Sequence, residues 1–339
     1  MDSTKQKKIL LKTTIILSAL VVIGLIMGLI VFFKFRMYTV FTERGSRLYS
    51  PSEIRQIKAE SENDGENNFL ASMKARLESG TGINPLLREY YSDQFIYTID
   101  GRYYFSPINF ELKQNKLDNS NFVKNSSGEI QYTENGVVTS HMGIDISRYQ
   151  GSIDFSKVKE SGVEFAMIRC GYRGYGGGNI TDDTSFDTYV RDALTNDIKI
   201  GAYFFSQAIT TEEAVEEANY VIDKLKPYTV EYPVVIDIEE VTAGTSRQES
   251  LTNTELTDVV VAFCEQIKNA GYTPMIYSNS RYFAGKLEME RLEDYEKWYA
   301  FYADVPYMPY EFSMWQYTNQ GTIDGISGDV DLNISFKSW

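Results

Sequence analysis

Histidine is almost missing from this sequence of 339 residues: His141 is the single one. That excludes zinc sites built on two histidines. It leaves Ser-His-Asp or Cys-His chemistry open only with His141 as the base. Its setting, Ser140-His141-Met142-Gly143, reads as a linker entering a strand. Cysteine is nearly as scarce. Cys170 lies in a strand-like apolar run and Cys264 in a helical one, so both read as small buried hydrophobes rather than a disulfide. Cations are in deficit, with 33 Lys and Arg against 47 Asp and Glu and a net charge of −14. That balance argues against a nucleic-acid partner, because phosphate binding needs clustered cations. Acid–base chemistry, if present, falls to carboxylates.

What is present starts with a long apolar run. Thr13 to Phe33 is 21 residues without a charge, enough to cross a hydrocarbon core of about 30 Å as a helix. The flank Lys34-Phe35-Arg36-Met37-Tyr38 offers no small-residue cleavage site, so an uncleaved signal anchor in the lipid bilayer is expected. Lys5, Lys7, Lys8 and Lys12 before the run balance Lys34, Arg36, Arg44 and Arg47 after it, so charge alone does not orient it. The short leading tail, residues 1–12, favours the cytoplasmic side.

Beyond the anchor, hydrophobic residues at 43% and charged residues at 24% have a globular balance. Residues 34–94 read as a stalk. Ser50-Pro51-Ser52-Glu53 signals a helix start, and the polar stretch Glu60–Asn68 is expected to interrupt that helix. Residues 95–141 read as a small β module, because Asp100-Gly101 and Asn135-Gly136 each sit between β-rich runs, a hairpin signal. From residue 142 to 339 strand-like runs at 143–147, 164–170, 198–205, 233–239, 273–277, 298–303 and 313–317 alternate with amphipathic helical runs. Such alternation predicts a largely parallel sheet with helical crossovers, closing into a β/α barrel that is irregular near its end. Residues 142–339 are expected to fold on their own.

The acids fall where such a barrel places its chemistry. Val234-Val235-Ile236 runs into Asp237-Ile238-Glu239, and strand alternation puts Asp237 and Glu239 on one face with Ile238 and Glu240 on the other. Two carboxylates together raise the pKa of one, as an acid catalyst needs. On this motif alone a second account stands beside it: a strand emerging into a polar loop capped by Thr242. Gly143-Ile144-Asp145 likewise delivers an acid at the end of an apolar strand. Asp331, in Gly328–Asn333, by itself reads as a surface loop acid that could rejoin the same mouth. Tyr203, Trp315 and Tyr317, in or at the ends of strands, suit the apolar faces of sugar rings, though aromatics favour cores as well.

Taken together, the chain resembles the glycoside hydrolase family 25 lysozymes, the Chalaropsis-type muramidases. The matching stretches include Gly143–Gly151, Val163–Arg169, Gly201–Phe205, Pro233–Glu239, Tyr277–Asn279, Met314–Tyr317 and Val330–Asn333, in family order. The resemblance implies an irregular barrel of eight strands and five helices. It also implies cleavage of the β-1,4 bond between N-acetylmuramic acid and N-acetylglucosamine in peptidoglycan, without a cofactor or metal. By position it makes Glu239 the general acid and lines the cleft with Asp145, Asp237 and Asp331. Arg169, within a matching stretch, joins Tyr203, Trp315 and Tyr317 as an expected substrate contact. Two alternatives are a catalytically weak wall-binding module and a carboxylate-bound Mg²⁺ hydrolase.

Overall fold

The computed structural model describes residues 3–35, 38–42, 45–241 and 244–339. Arg36, Arg44 and Thr242, each used above, lie outside the described residues. The chain divides into two compact units, residues 1–86 and 87–339.

In the first unit Ser3–Phe35 is one helix. Its stretch Lys7–Val31 is long and apolar enough to cross a membrane by length and composition. Tyr38–Thr42 and Gly45–Tyr49 form an antiparallel pair. The following helix, Pro51–Glu78, starts on a capping box, with Ser50 N–H donating to Glu53 (2.8 Å) and Glu53 N–H to Ser50 Oγ (3.3 Å). It runs unbroken through Glu60–Asn68, contrary to the expected interruption. The three Glu of that stretch are good helix formers, each Asn or Asp costs under about 0.7 kcal/mol and Gly65 about 1 kcal/mol, and i,i+4 pairs such as Gln56–Glu60 and Lys58–Glu62 add support.

In the second unit the hairpin signals hold. Gln94–Ile99 pairs with Arg102–Pro107 across Asp100 (φ 49°) and Gly101 (φ 74°), and Ile130–Glu134 pairs with Val137–Val138 across Asn135 (φ 51°) and Gly136 (φ 79°). Two successive left-handed residues are the I′ turn that matches strand twist.

Eight strands then close a barrel: β1 His141–Ile146, β2 Phe165–Arg173, β3 Lys199–Phe205, β4 Val234–Asp237, β5 Pro274–Asn279, β6 Glu296–Ala300, β7 Met314–Gly321 and β8 Val330–Ser335. Neighbours pair in sequence order and β1 closes on both β2 and β8. Pairs from β1–β2 to β6–β7 are parallel, whereas β8 runs antiparallel to β7 and β1. Five α-helices, α1 Phe155–Glu160, α2 Phe186–Thr195, α3 Thr211–Leu225, α4 Asn253–Asn269 and α5 Ser280–Gly285, lie between β1 and β6. The barrel is the irregular one expected. Strand β8 is the element the alternation did not reveal. Its outward residues Val330, Leu332 and Ile334 are apolar, but its inward ones are Asp331, Asn333 and Ser335, so it reads as a polar loop.

Two apolar clusters follow from strand alternation. Helix faces pack on the outer faces of the strands through residues such as Ile144, Phe204, Ile236, Val260 and Phe263. Phe165, Met167, Val235, Met275, Trp298 and Met314 fill the interior. Gly143 makes room for the Phe165 ring: a Cβ there would stand 2.2 Å from Phe165 Cζ. That ring is itself stacked on Tyr232 at 4.2 Å and cannot retreat. Gly143→Ala is therefore expected to cost about 1–3 kcal/mol by overpacking, read as a lowered melting temperature. Cys170 and Cys264 are buried and unbridged.

The small β module expected over 95–141 packs into the barrel rather than standing apart from it. Residues 95–141 belong to the same compact unit as the barrel. Phe122 meets Trp315 edge-on at 5.3 Å, and Phe95 meets Tyr307 at 5.6 Å. Backbone hydrogen bonds from Asn115 to Pro309 (2.8 Å) and from Glu311 to Lys113 (2.9 Å) stitch the two together. The unit's contacts thus begin near residue 87 rather than 142.

Candidate active site

At the carboxyl ends of the parallel strands a cavity of about 240 Å³ opens. Asp145 from β1, Asp237 and Glu239 at the end of β4 and Asp331 from β8 all line it, with Tyr203 from β3. Ile238 is fully buried on the opposite side. Asp331 reaches the cavity because its register partner across the antiparallel β8–β1 pair is Asp145.

Asp145 is 5% exposed and anchors a polar network. Its Oδ2 accepts from Gln316 Nε2 and Asn333 Nδ2, both at 2.8 Å. Trp298 Nε1 donates to Asn333 Oδ1 (2.8 Å), while the hydroxyls of Tyr277 and Tyr302 both donate to Gln316 Oε1 (2.9 Å). Both amides are thereby oriented with their NH₂ groups on the acid. These donors favour the ionised form of Asp145 against the burial that raises its pKa. The adjoining Asp331 is pushed up to about 9, by burial first and then by the charge of Asp145 and a hydrogen bond with it. The two carboxyls sit side by side, and both of their pKa values are raised.

Asp237 is 4% exposed and its Oδ1 has no partner inside the protein. Burial raises its pKa well above the usual carboxylate range, the charges of Glu239 and Asp145 add to that, and Arg169 opposes it. Glu239 is pushed up to about 7 by burial, then by the charges of Glu240 and Asp145. A carboxyl poised near neutrality can both give and take a proton there. Glu240 points away: its carboxylate takes hydrogen bonds from Asn279 Nδ2 (2.8 Å) and Arg281 Nη1 (3.1 Å).

Other expected contacts fall elsewhere. Trp315 and Tyr317 do not line this cavity. On β7 the inward phase belongs to Met314 and Gln316, so Trp315 packs outward under Phe122, its Nε1 donating to Phe301 O (2.7 Å). Tyr317 is buried on the same outer side. Arg169 is held by the buried Asp183, Nε to Oδ2 at 2.8 Å, and acts on Asp237 through charge rather than lining the cavity. His141 starts β1, bound to Glu164 (2.8 Å) and Ser338 (2.9 Å). Four residues of strand, roughly 13 Å, separate it from Asp145. Among the described residues no cluster of three or more His, Cys, Asp or Glu is arranged to hold a metal ion. Tyr277, Trp298, Tyr302, Gln316 and Asn319 line the cavity without having been singled out. The available signal was the phase of β7: a glutamine between aromatics marks a polar interior.

Fold and site together define a β/α barrel with carboxylates converging at its mouth. The family described as Glycosyl hydrolases family 25 matches residues 144–326, and the chain belongs to that family. It is 31% identical over 193 residues to the autolytic lysozyme of Clostridium acetobutylicum, covering 56% of this chain and 54% of that protein. The chain thus spans about half the length of that relative. Among solved structures it is similar in fold to the spore cortex lytic enzyme SleM of Clostridium perfringens, with a TM-score of 0.51 at 24% identity, covering 60% of this chain and 69% of that one. It is also similar in fold to the modular autolysin LytC of Streptococcus pneumoniae, solved with a synthetic peptidoglycan ligand. There the TM-score is 0.54 at 22% identity, covering 70% of this chain and 57% of that one.

Proposed function

We propose that this chain is a membrane-anchored N-acetylmuramidase, cutting the β-1,4 bond between N-acetylmuramic acid and N-acetylglucosamine in peptidoglycan. The observation that carries it is the convergence of Glu239 with Asp145, Asp237 and Asp331 in one cavity at the mouth of the barrel. Glu239 gives its proton to the leaving glycosidic oxygen. Asp237, with an unpartnered Oδ1, orients the 2-acetamido group of the sugar so that it assists at the anomeric carbon. Asp145, oriented by Gln316 and Asn333, faces the same centre and stabilises the positive charge that develops there. Tyr203 and Trp298 supply the aromatic walls. Family membership and the autolytic relative support this substrate class.

The apolar helix through Lys7–Val31 supports a single-pass anchor, with the amino terminus cytoplasmic and the barrel outside the cell, where the wall is. Purified peptidoglycan digested by the full chain is expected to release muropeptides with N-acetylmuramic acid at the reducing end, read by mass spectrometry. Reducing-end N-acetylglucosamine would move the cut to the other bond. Binding without release would leave a wall-binding module. Protease added to intact cells is expected to remove the barrel, and full protection would overturn the topology.

A further inference from the structure

A second cavity, about 420 Å³, lies beside the first and shares Tyr302 with it. Along β7, Asn319 lines the acid cavity while Thr318 and Gln320 line the second; on β8, Asp331 and Leu332 divide in the same way. Its far wall comes from residues before the family segment: Lys124, Ser127, Gly128 and Ile130, around the turn between the strands Phe122–Lys124 and Ile130–Glu134. Lys124 Nζ meets Asp304 Oδ1 at 2.7 Å and ties that wall to the loop between β6 and β7. Tyr317 also lines the cavity. It is 3% exposed, and its hydroxyl lies by the Ile130 backbone without a completed hydrogen bond.

The acid cavity alone, at about 240 Å³, is smaller than the roughly 300–1,000 Å³ of ordinary ligand pockets. A glycosidase holds sugars on both sides of the bond it cuts, so the chain needs more room than the acids provide. The second cavity offers the exposed ring of Tyr302 over a floor that includes the buried Ile130 and Leu332, and hydroxyl or amide groups at Ser127, Thr318 and Gln320. Its lysine and aspartate are paired with each other. A stem peptide, with free carboxylates, calls for an unpaired cation; an uncharged sugar ring does not.

We infer that the segment 122–130 and the outer faces of β7 and β8 form a distal sugar subsite, so that a glycan strand bound at the acids continues over Tyr302 into the second cavity. The inference rests on the proposed function for its substrate class. It gives the segment ahead of the family domain a part in binding.

The test uses the full chain carrying Glu239→Gln, so that binding is measured without cleavage. The probes are peptide-free glycan strands, a disaccharide from them, and the same strands with stem peptides attached. Ser127→Trp fills the cavity from one wall and Thr322→Trp from the other; both positions are exposed, and near-UV circular dichroism checks the fold. Each is expected to weaken binding of the long strand about tenfold and to leave the disaccharide unchanged. In the chain without either tryptophan, long strands are expected to slow hydrogen exchange of the amides at 124–130. Unchanged strand affinity in both variants, absence of that protection, or an effect confined to peptide-bearing strands would each overturn the subsite. Strand binding that depends on Ser127 and Thr322, found with a wild-type chain that cleaves nothing, would keep the subsite and remove the muramidase.

Discussion

Glu239→Gln is expected to lower the rate of peptidoglycan cleavage about 10²–10⁴-fold while leaving circular dichroism unchanged. The amide keeps the shape of the side chain but holds no proton to give. In the wild type, Glu239 at about 7 is protonated on the acid side, so activity is expected to fall as pH rises through that value. The residual activity of the variant should lack that limb. Glu240→Gln is the internal control. Its carboxylate is turned to Asn279 and Arg281, so the rate at low pH should persist. Removing its charge takes away one of the causes that raise Glu239, so the alkaline limb should move to lower pH. A dead Glu240→Gln with an active Glu239→Gln would reverse the assignment of the acid.

A fragment of residues 142–339 is expected to be insoluble, whereas one of 80–339, which keeps the helix Ile83–Tyr90 whole, is expected to fold and bind substrate. Cutting at 142 uncovers Trp315, Phe336, Tyr307 and Tyr310, on which Phe122, Tyr132 and Phe95 now rest. At about 1.5–3 kcal/mol for each buried aromatic, the loss is roughly 5–9 kcal/mol. That is of the same order as the whole stability of a domain, about 5–15 kcal/mol. Soluble expression and a cooperative thermal transition distinguish the two fragments. A well-folded 142–339 fragment would show that the barrel does not need this cover.

Both the barrel and its acids were legible because they follow local rules. Alternating strands and helices have a strong periodicity, and Asp145, Asp237 and Glu239 end apolar strands, where a barrel builds its mouth. The hairpins were equally legible from Asp100-Gly101 and Asn135-Gly136, since few residue pairs accept two positive φ angles. What stayed hidden depended on which face of a strand looks inward. Trp315 and Tyr317 were favoured over Gln316 because aromatics suit sugars, yet the interior here is polar at its mouth and the aromatics serve the outer layer. Strand β8 was obscured for the same reason: inward Asp331 and Asn333 mask the apolar alternation of Val330, Leu332 and Ile334. The attachment of residues 95–141 left no local trace, because it is made by single aromatics meeting partners some 200 positions away.

The crowding of the four acids has a cost outside catalysis. Asp145, Asp237, Glu239 and Asp331 all have raised pKa values in the folded chain. Between about pH 4 and 9 the folded state therefore holds more protons than the unfolded one, and stability declines as pH rises across that window. An amide at Glu239 or Asp331 removes part of that burden and is expected to raise stability above neutral pH. A library of random variants selected only for heat resistance at alkaline pH would then drift towards these positions and return durable, silent protein. Selection for a hardier enzyme has to score turnover at every round.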